Sequence, residues 1–280
     1  MPNAERMLSA LRGAVNACRN TPGRKGSQVQ IDADDVLVAG DLHGNLPHFQ
    51  ALLALADLPN QPRRHLVLQE VIHGPFLYPN GTDKSHQLLD LTAALKCQFP
   101  ERVHFLPGNH ELAQMTARPI ARSRGELNSL FRAGIDVAYG DQSDEIYRAY
   151  LDFIRAAPLA LRTSNRVFMS HSLPPRDRLA AWKHEVITSE PLQDTELLPG
   201  GSVYWLLWGR DLAPETVHQF LINVDADLLV SGHIPCEEGF LVPNDRQVVL
   251  DAQNSPGGYC LFPANRPITH QELAACVQTL

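Results

Sequence analysis

The chain has 280 residues, 44% hydrophobic and 20% charged, which is enough apolar content for a sizeable core and excludes a disordered or fibrous chain. Its formal net charge is −7 and its basic residues are scattered, which argues against nucleic-acid binding and against an anionic membrane surface. The five cysteines, Cys18, Cys97, Cys236, Cys260 and Cys276, form no CxxC pair, and no apolar run approaches the length of a membrane span, so a reducing, cytoplasmic setting without disulfides or structural zinc is expected.

From the N-terminus, Met7, Leu8, Leu11, Val15 and Cys18 recur at helical spacing and predict an amphipathic helix over 4–19. Asn20 to Ser27 reads as a loop and Val29 to Ile31 as an edge strand, so residues 1–32 are an N-terminal helix and loop extension of a single domain over 1–280. Val36 to Gly40 is a continuous apolar run that predicts a buried strand, and it ends in Asp41-Leu42-His43-Gly44-Asn45. Side chains alternate along extended backbone, so Asp41 and His43 can converge just past the strand's carboxyl end, where α/β sheets place ligands. One carboxylate and one imidazole suit a first-row transition metal.

Pro47 to Leu58 is a predicted helix, and His65 to Ile72 a second buried strand carrying Glu70 at its end, followed by His73 and Gly74. A loop over Pro75 to Thr82 leads to a helix over Ser85 to Cys97 and a third strand, Val103 to Leu106, which ends in Pro107-Gly108-Asn109-His110-Glu111. This alternation implies a parallel sheet core. Helices are expected over Glu111 to Thr116, Glu126 to Ala133 and Asp144 to Ala156. Two strands follow, Leu159 to Arg162 and Arg166 to Ser170, the second ending at His171. Asp177 to Val186 reads as a helix, Pro191 to Gly201 as a loop, Val203 to Trp208 as a short apolar stretch and Glu215 to Asn223 as a helix. The strand Asp227 to Val230 ends at Ser231-Gly232-His233. Phe240 to Val242, Gln247 to Leu250 and Tyr259 to Phe262 are expected to form a second, mixed sheet, closed by a helix over His270 to Val277.

Five strand ends therefore carry metal-compatible residues: Asp41 with His43, Glu70, Asn109 with His110, His171, and His233. A single histidine after a strand is commonly a loop residue; five independent strand ends finishing this way point to one site. His48, His65, His86, His104, His184, His218 and His270 sit in helices or within strands and read as structural or surface residues.

Gly40-Asp41-Leu42-His43-Gly44, Gly108-Asn109-His110-Glu111, His171 and Gly232-His233 resemble the motifs of the calcineurin-like metallophosphoesterases. Gln98-Phe99-Pro100-Glu101 leading into Phe105 to Glu111, and Gly232-His233-Ile234-Pro235 with Glu237 to Phe240, are most similar to the serine/threonine phosphoprotein phosphatase branch. Leu206-Leu207-Trp208-Gly209-Arg210 resembles an element of its bacterial and phage members, and the likeness covers roughly residues 34 to 262. The resemblance implies a four-layer α/β/β/α sandwich, two mixed sheets flanked by helices. It implies two divalent or trivalent transition-metal ions, manganese by preference and iron or zinc otherwise. Asp41 and His43 would hold the first, Asn109, His171 and His233 the second, and Glu70 would bridge them. His110 would be the general acid and Arg210 the phosphate clamp. The implied reaction is hydrolysis of a phosphate monoester, on a phosphorylated protein or a small phosphoester, by direct attack of a hydroxide bridging the metals.

The second motif departs from the family pattern of Gly-Asp-x-x-Asp-Arg-Gly. Here Gln69-Glu70-Val71-Ile72-His73-Gly74 places Glu70 at the bridging aspartate, His73 at the aspartate that orients the catalytic histidine, and Gly74 at a phosphate-binding arginine. Arg210 is then the main clamp, with Lys84 or Arg122 as helpers, and Glu111 or another carboxylate from a distant segment is an alternative partner for His110. Two classes of function follow: an active phosphoesterase, or a degenerate relative that binds metal or a phosphorylated ligand without efficient turnover.

Overall fold

The computed structural model describes residues 2–122 and 125–280, without the side chain of Arg122. In chain order the principal elements are helix α1 (Ala4–Arg19), strands β1 (Gln28–Ile31) and β2 (Asp35–Asp41), α2 (Leu46–Ala56), β3 (Arg64–Gln69), α3 (His86–Gln98), β4 (Val103–Leu106), α4 (Asn109–Met115), α5 (Leu127–Tyr139) and α6 (Ser143–Ala156). They continue with β5 (Ala160–Thr163), β6 (Val167–Ser170), α7 (Ser202–Trp208), α8 (Pro214–Asn223), β7 (Leu228–Ser231), β8 (Gln247–Leu250), β9 (Gly258–Pro263), α9 (His270–Ala275) and β10 (Val277–Thr279).

Two mixed sheets result. One runs β10-β9-β2-β3-β4, with β2, β3 and β4 parallel as expected and β9 antiparallel to β2. The other runs Arg24–Lys25, β1, β5, β6, β7, β8, Phe240–Leu241, with β6, β7 and β8 parallel. Alternation along β2 builds the layers: Val36 and Val38 turn toward the other sheet and meet Leu161, Met169, Val230 and Leu250, whereas Leu37 and Ala39 turn outward under α1, α2, α3 and α6. The outer face of the second sheet, through Phe168 and Leu229, is covered by Trp182, Leu206 and Phe220. The order is thus helices, sheet, sheet, helices.

Four expectations fail in detail. β1 is not an edge strand, because Arg24–Lys25, expected to be loop, pairs outside it. The Arg24 guanidinium pins that edge by donating to the carbonyls of Cys18 (3.0 Å) and Ala156 (2.7 Å). Residues 259–262 lie not with Gln247–Leu250 but beside β2, with Cys260 opposite Val38. Their inside–outside alternation suits either sheet, so only the path of the preceding loop decides. The helix expected over 177–186 is two single turns, Arg176–Leu179 and Glu185–Thr188; between them the buried Trp182 indole donates to the Ser202 carbonyl at 3.1 Å, which turns the chain into the core. The closing helix stops at Ala275, and Val277–Thr279 pairs with β9 instead.

Candidate metal centre

The candidate ligands converge because five strand ends are turned toward one cleft. In β2, Val38 pairs with Val67 and Asp41 with Gln69, so Ala39 and Gly40 together oppose Leu68. This bulge raises the local twist and re-aims Asp41. Gln69 holds it by donating from Nε2 to the Ala39 carbonyl at 2.9 Å. Beyond the strands, His43, Glu70, His73 and His233 all have positive φ (42°, 37°, 61° and 70°). Such backbone costs about 1–3 kcal/mol per non-glycine residue, and it persists where surrounding structure imposes it. α4 begins at Asn109, and its capping carboxylate, Glu111, accepts the Gly108 amide at 2.8 Å.

Glu70 sits at the middle of the cluster. Its Oε2 lies 3.1 Å from His43 Nε2, and its Oε1 accepts the His110 amide at 2.9 Å and lies 3.5 Å from His171 Nε2. His171 Nε2 is also 3.1 Å from Asn109 Oδ1 and 3.1 Å from His233 Nδ1. Asp41 Oδ1 faces His171 Nδ1 at 3.4 Å, and Asp41 Oδ2 accepts the His233 amide at 2.6 Å. Among the described residues, two triads bring their ligand atoms within 4.8 Å of one another, His43 with Glu70 and His110, and Asp41 with Glu70 and His171, and Glu70 is common to both. All seven side chains are buried. A side chain at Gly108 would put its Cβ 2.1 Å from Glu70 Oε1 and 2.8 Å from His171 Cε1, so the two neighbours leave room only for glycine.

The hydrogen positions test whether a cation fits. His43 Nδ1 is 2.8 Å from the Ile72 carbonyl, which can only accept, so Nδ1 carries the hydrogen. When the ring is neutral, Nε2 presents a lone pair to the lone pairs of Glu70 Oε2, an arrangement that a shared cation relieves; when it is protonated, Nε2–H donates to Glu70 in the cation's place. Ligand atoms about 2.0–2.2 Å from a small cation lie about 3.0–3.5 Å apart, the range of these separations. Among the described residues, Asp41 Oδ1, His171 Nδ1 and His233 Nε2 are buried polar atoms without a hydrogen bond. The mixed carboxylate, imidazole and amide set fits a transition metal.

The charges are tightly interdependent. Burial pushes Glu70 upward, but the imidazoles of His171, His110 and His43 outweigh it and hold the carboxyl well below its ordinary range. Asp41 is raised, by burial first and by the Glu70 charge as well, against the pull of His171. Burial pulls His233 well below the usual imidazole value. Burial and then the Glu70 charge push Glu111 up to about 7, opposed by backbone donors.

His110 and Arg210 line the same cleft as Asp41, His43, Glu70, Asn109 and His233. Arg210 donates from Nη1 to the His233 carbonyl at 3.0 Å, which anchors its exposed guanidinium at the mouth. His73 stands behind His110, Nδ1 to Nδ1 at 2.9 Å. The alternative partner, Glu111, is committed elsewhere: its Oε1 accepts the amides of Val71 (2.8 Å) and Ile72 (3.1 Å). Lys84 is not among the cleft-lining residues; its ammonium lies over the Tyr78 ring, 5.1 Å from the centroid. The side chain of Arg122 lies outside the described residues. Pro235, Asp251 and Gln253 complete the wall. Asp251 is no open ligand, since its carboxylate accepts the amides of Cys236 (3.0 Å) and Gln253 (2.9 Å). It does share the sequence signature of the others, a polar residue closing an apolar run, and reading strand ends for lone carboxylates finds it.

A family model for calcineurin-like phosphoesterases matches residues 35–237. The chain is 26% identical to a probable serine/threonine-protein phosphatase of Encephalitozoon cuniculi over 252 residues, covering 81% of this chain and 50% of that protein. It is 26% identical to serine/threonine-protein phosphatase 5 of Arabidopsis thaliana over 250 residues, covering 82% of this chain and 43% of that protein. The chain thus spans about half or less of the length of these relatives. Among solved structures, a protein serine/threonine phosphatase of Saccharomyces cerevisiae superposes over 100% of this chain and 90% of its own, with TM-score 0.74 and 16% identity. A cold-active protein-tyrosine phosphatase of a psychrophilic Shewanella superposes over 95% and 84%, with TM-score 0.62 and 13% identity. At these identities the superpositions establish the fold.

Proposed function

The chain belongs to the calcineurin-like phosphoesterase family, and from that premise we propose that it hydrolyses phosphate monoesters at a two-cation centre. The observation that carries this reading is the placement of Glu70 between two donor groups, with His43 on one side and His171, Asn109 and His233 on the other. Asp41 and His43 would hold one cation, Asn109, His171 and His233 the other, with Glu70 bridging. Manganese is the preferred metal, with iron or zinc as alternatives, because nitrogen and oxygen donors are mixed. Bound there, a pair of cations supplies Lewis acidity to the attacking and leaving oxygens of an in-line displacement.

The protein's own groups do the rest. The Arg210 fork faces the cleft and matches two phosphoryl oxygens. His110 turns Nδ1 toward His73, which directs Nε2 to the leaving oxygen, where it would deliver a proton. The buried walls exclude bulk water from the carboxylates. A phosphorylated serine or threonine side chain on a protein is the substrate favoured by the kinship with the serine/threonine phosphatases, and a small phosphoester is the alternative.

The test is metal analysis of the purified protein, with nitrophenyl phosphate and phosphopeptide hydrolysis measured before chelation, after it, and after manganese is restored. Close to two metal equivalents and activity that is lost and regained are expected. Stoichiometric metal with no turnover on any phosphate ester would leave a binding protein, and the hydrolase reading would be wrong.

A further inference from the structure

Behind His110 runs a chain of side chains that no catalytic role has yet absorbed. His73 is buried, its ring meets Phe131 edge-on at 5.6 Å, and its amide donates to Ser85 Oγ at 2.9 Å. Its two ring nitrogens face different partners. Nδ1 faces His110 Nδ1 at 2.9 Å, and Nε2 faces Gln114 Oε1 at 2.9 Å. Gln114 in turn donates from Nε2 to the Tyr147 hydroxyl at 2.7 Å. Gln114 comes from α4, the helix that begins with Asn109 and His110, and Tyr147 from α6.

An amide oxygen can only accept, so His73 must carry its hydrogen on Nε2. Burial favours the neutral ring, which leaves Nδ1 with a lone pair. Two nitrogens 2.9 Å apart need one hydrogen between them, and His110 must supply it from its own Nδ1. The polarity of the whole chain is thus set by the orientation of one amide. Were the Gln114 amide reversed, His73 would present a hydrogen to His110 Nδ1, and a doubly protonated His110 could not form without a clash of donors.

We propose that Gln114 and Tyr147 are positioning residues that hold His73 as its Nε2–H tautomer, making it a neutral acceptor for His110 Nδ1–H in the place where a carboxylate would otherwise stand. His110 then keeps its Nδ1 hydrogen throughout, and the proton it transfers resides on Nε2. The catalytic consequence rests on the phosphatase reading above; the tautomer assignment does not.

The experiment uses the full chain with nitrogen-15-labelled histidine, with zinc, which is diamagnetic, and without. Long-range proton–nitrogen correlation at neutral pH should show His73 protonated at Nε2 alone and His110 protonated at Nδ1. Gln114→Leu should remove the single tautomer at His73, whereas Gln114→Glu, which keeps an acceptor at that point, should preserve it. Turnover of an alkyl phosphate should fall about 10–100-fold in Gln114→Leu with KM little changed, and recover in large part in Gln114→Glu. His73 found as the Nδ1–H tautomer in the wild type, or unchanged in Gln114→Leu, overturns the proposal. If the spectra are as expected but no variant hydrolyses phosphate, the hydrolase reading fails and the tautomer assignment stands.

Discussion

Glu70 is one methylene longer than aspartate, and its carboxylate packs closely against its neighbours. Its own φ is 37°, and the residue opposite its Oε1 is Gly108, where any Cβ would lie 2.1 Å away. Two substitutions should therefore be coupled. Gly108→Ala alone should destabilise the protein by about 1–3 kcal/mol and lower its metal content. With the shorter side chain of Glu70→Asp added, part of that loss should return, because the clashing oxygen is withdrawn; His171 Cε1, 2.8 Å from the same Cβ position, keeps recovery incomplete. Urea titrations of the two single variants and the double variant measure the coupling, and strictly additive losses would exclude it. His73 offers a second residue-scale prediction. Burial lowers its pKa from 6.5 to about 4. The unfolded chain therefore takes up a proton near pH 6.5 that the folded chain refuses until about pH 4, and stability falls as the pH drops through that window. At pH 5 the metal-free wild type should have lost about 2 kcal/mol that His73→Gln retains. A difference between the two that stays constant with pH would mean His73 is not held neutral. At this scale the residues that gather around Glu70 were legible, because each closes an apolar run. Gln114 and Tyr147 were not, since a glutamine or tyrosine within a helix has no local signature and gains meaning only when α4 and α6 are brought together.

Strands and helices were legible where one pattern ran long enough. α1, α6, β2 and β4 lie within a residue of where apolar spacing puts them, and β3 ends at Gln69, three residues short of the expected Ile72. Errors arose where the decision was not local. The pairing of β9 with β2 depends on the loop that crosses the cleft wall, and the break in 177–186 depends on Trp182 finding the Ser202 carbonyl from α7. The N-terminal elements precede the family-matched segment yet are built into the fold. Leu8, Leu11, Ala14 and Cys18 of α1 join the same core cluster as Leu68 of β3 and Phe105 of β4, and β1 pairs in parallel with β5. Leu11→Ala should accordingly cost about 2–5 kcal/mol in urea denaturation while leaving metal stoichiometry unchanged. A loss well under 1 kcal/mol would show α1 to be a loosely held appendage.

Across the whole molecule, a formal charge of −7 coincides with three buried carboxylates that line the cleft, Asp41, Glu70 and Asp251. Among the described residues that line the cleft, Arg210 is the permanent cation. The metal-free protein therefore bears repulsion that bound cations relieve. At a free metal concentration of about 100 times Kd, binding to the folded state alone adds about 2.7 kcal/mol. At about 2–4 °C per kcal/mol for a chain of this order, Tm should rise by about 5–11 °C when manganese is restored after chelation. A thermal scan in chelator and in manganese reads this directly, and coincident curves would argue against a cation site. Arg210→Ala should lower turnover about 10²–10³-fold with the metal-induced Tm rise intact. Near-normal turnover in that variant would remove Arg210 from the phosphate clamp.

Position 74 shows how such a cleft constrains its own future. A Cβ there would lie 2.1 Å from the His43 carbonyl oxygen and 2.9 Å from its carbon, and those are backbone atoms of the segment that carries a ligand. Gly74→Arg should therefore displace His43 rather than add a second arginine to the cleft. The neighbouring turn has closed over the space that a side chain would need. An arginine at this position requires the backbone around His43 to open first. The single change that would bring position 74 closest to the family pattern is thus one that this backbone opposes.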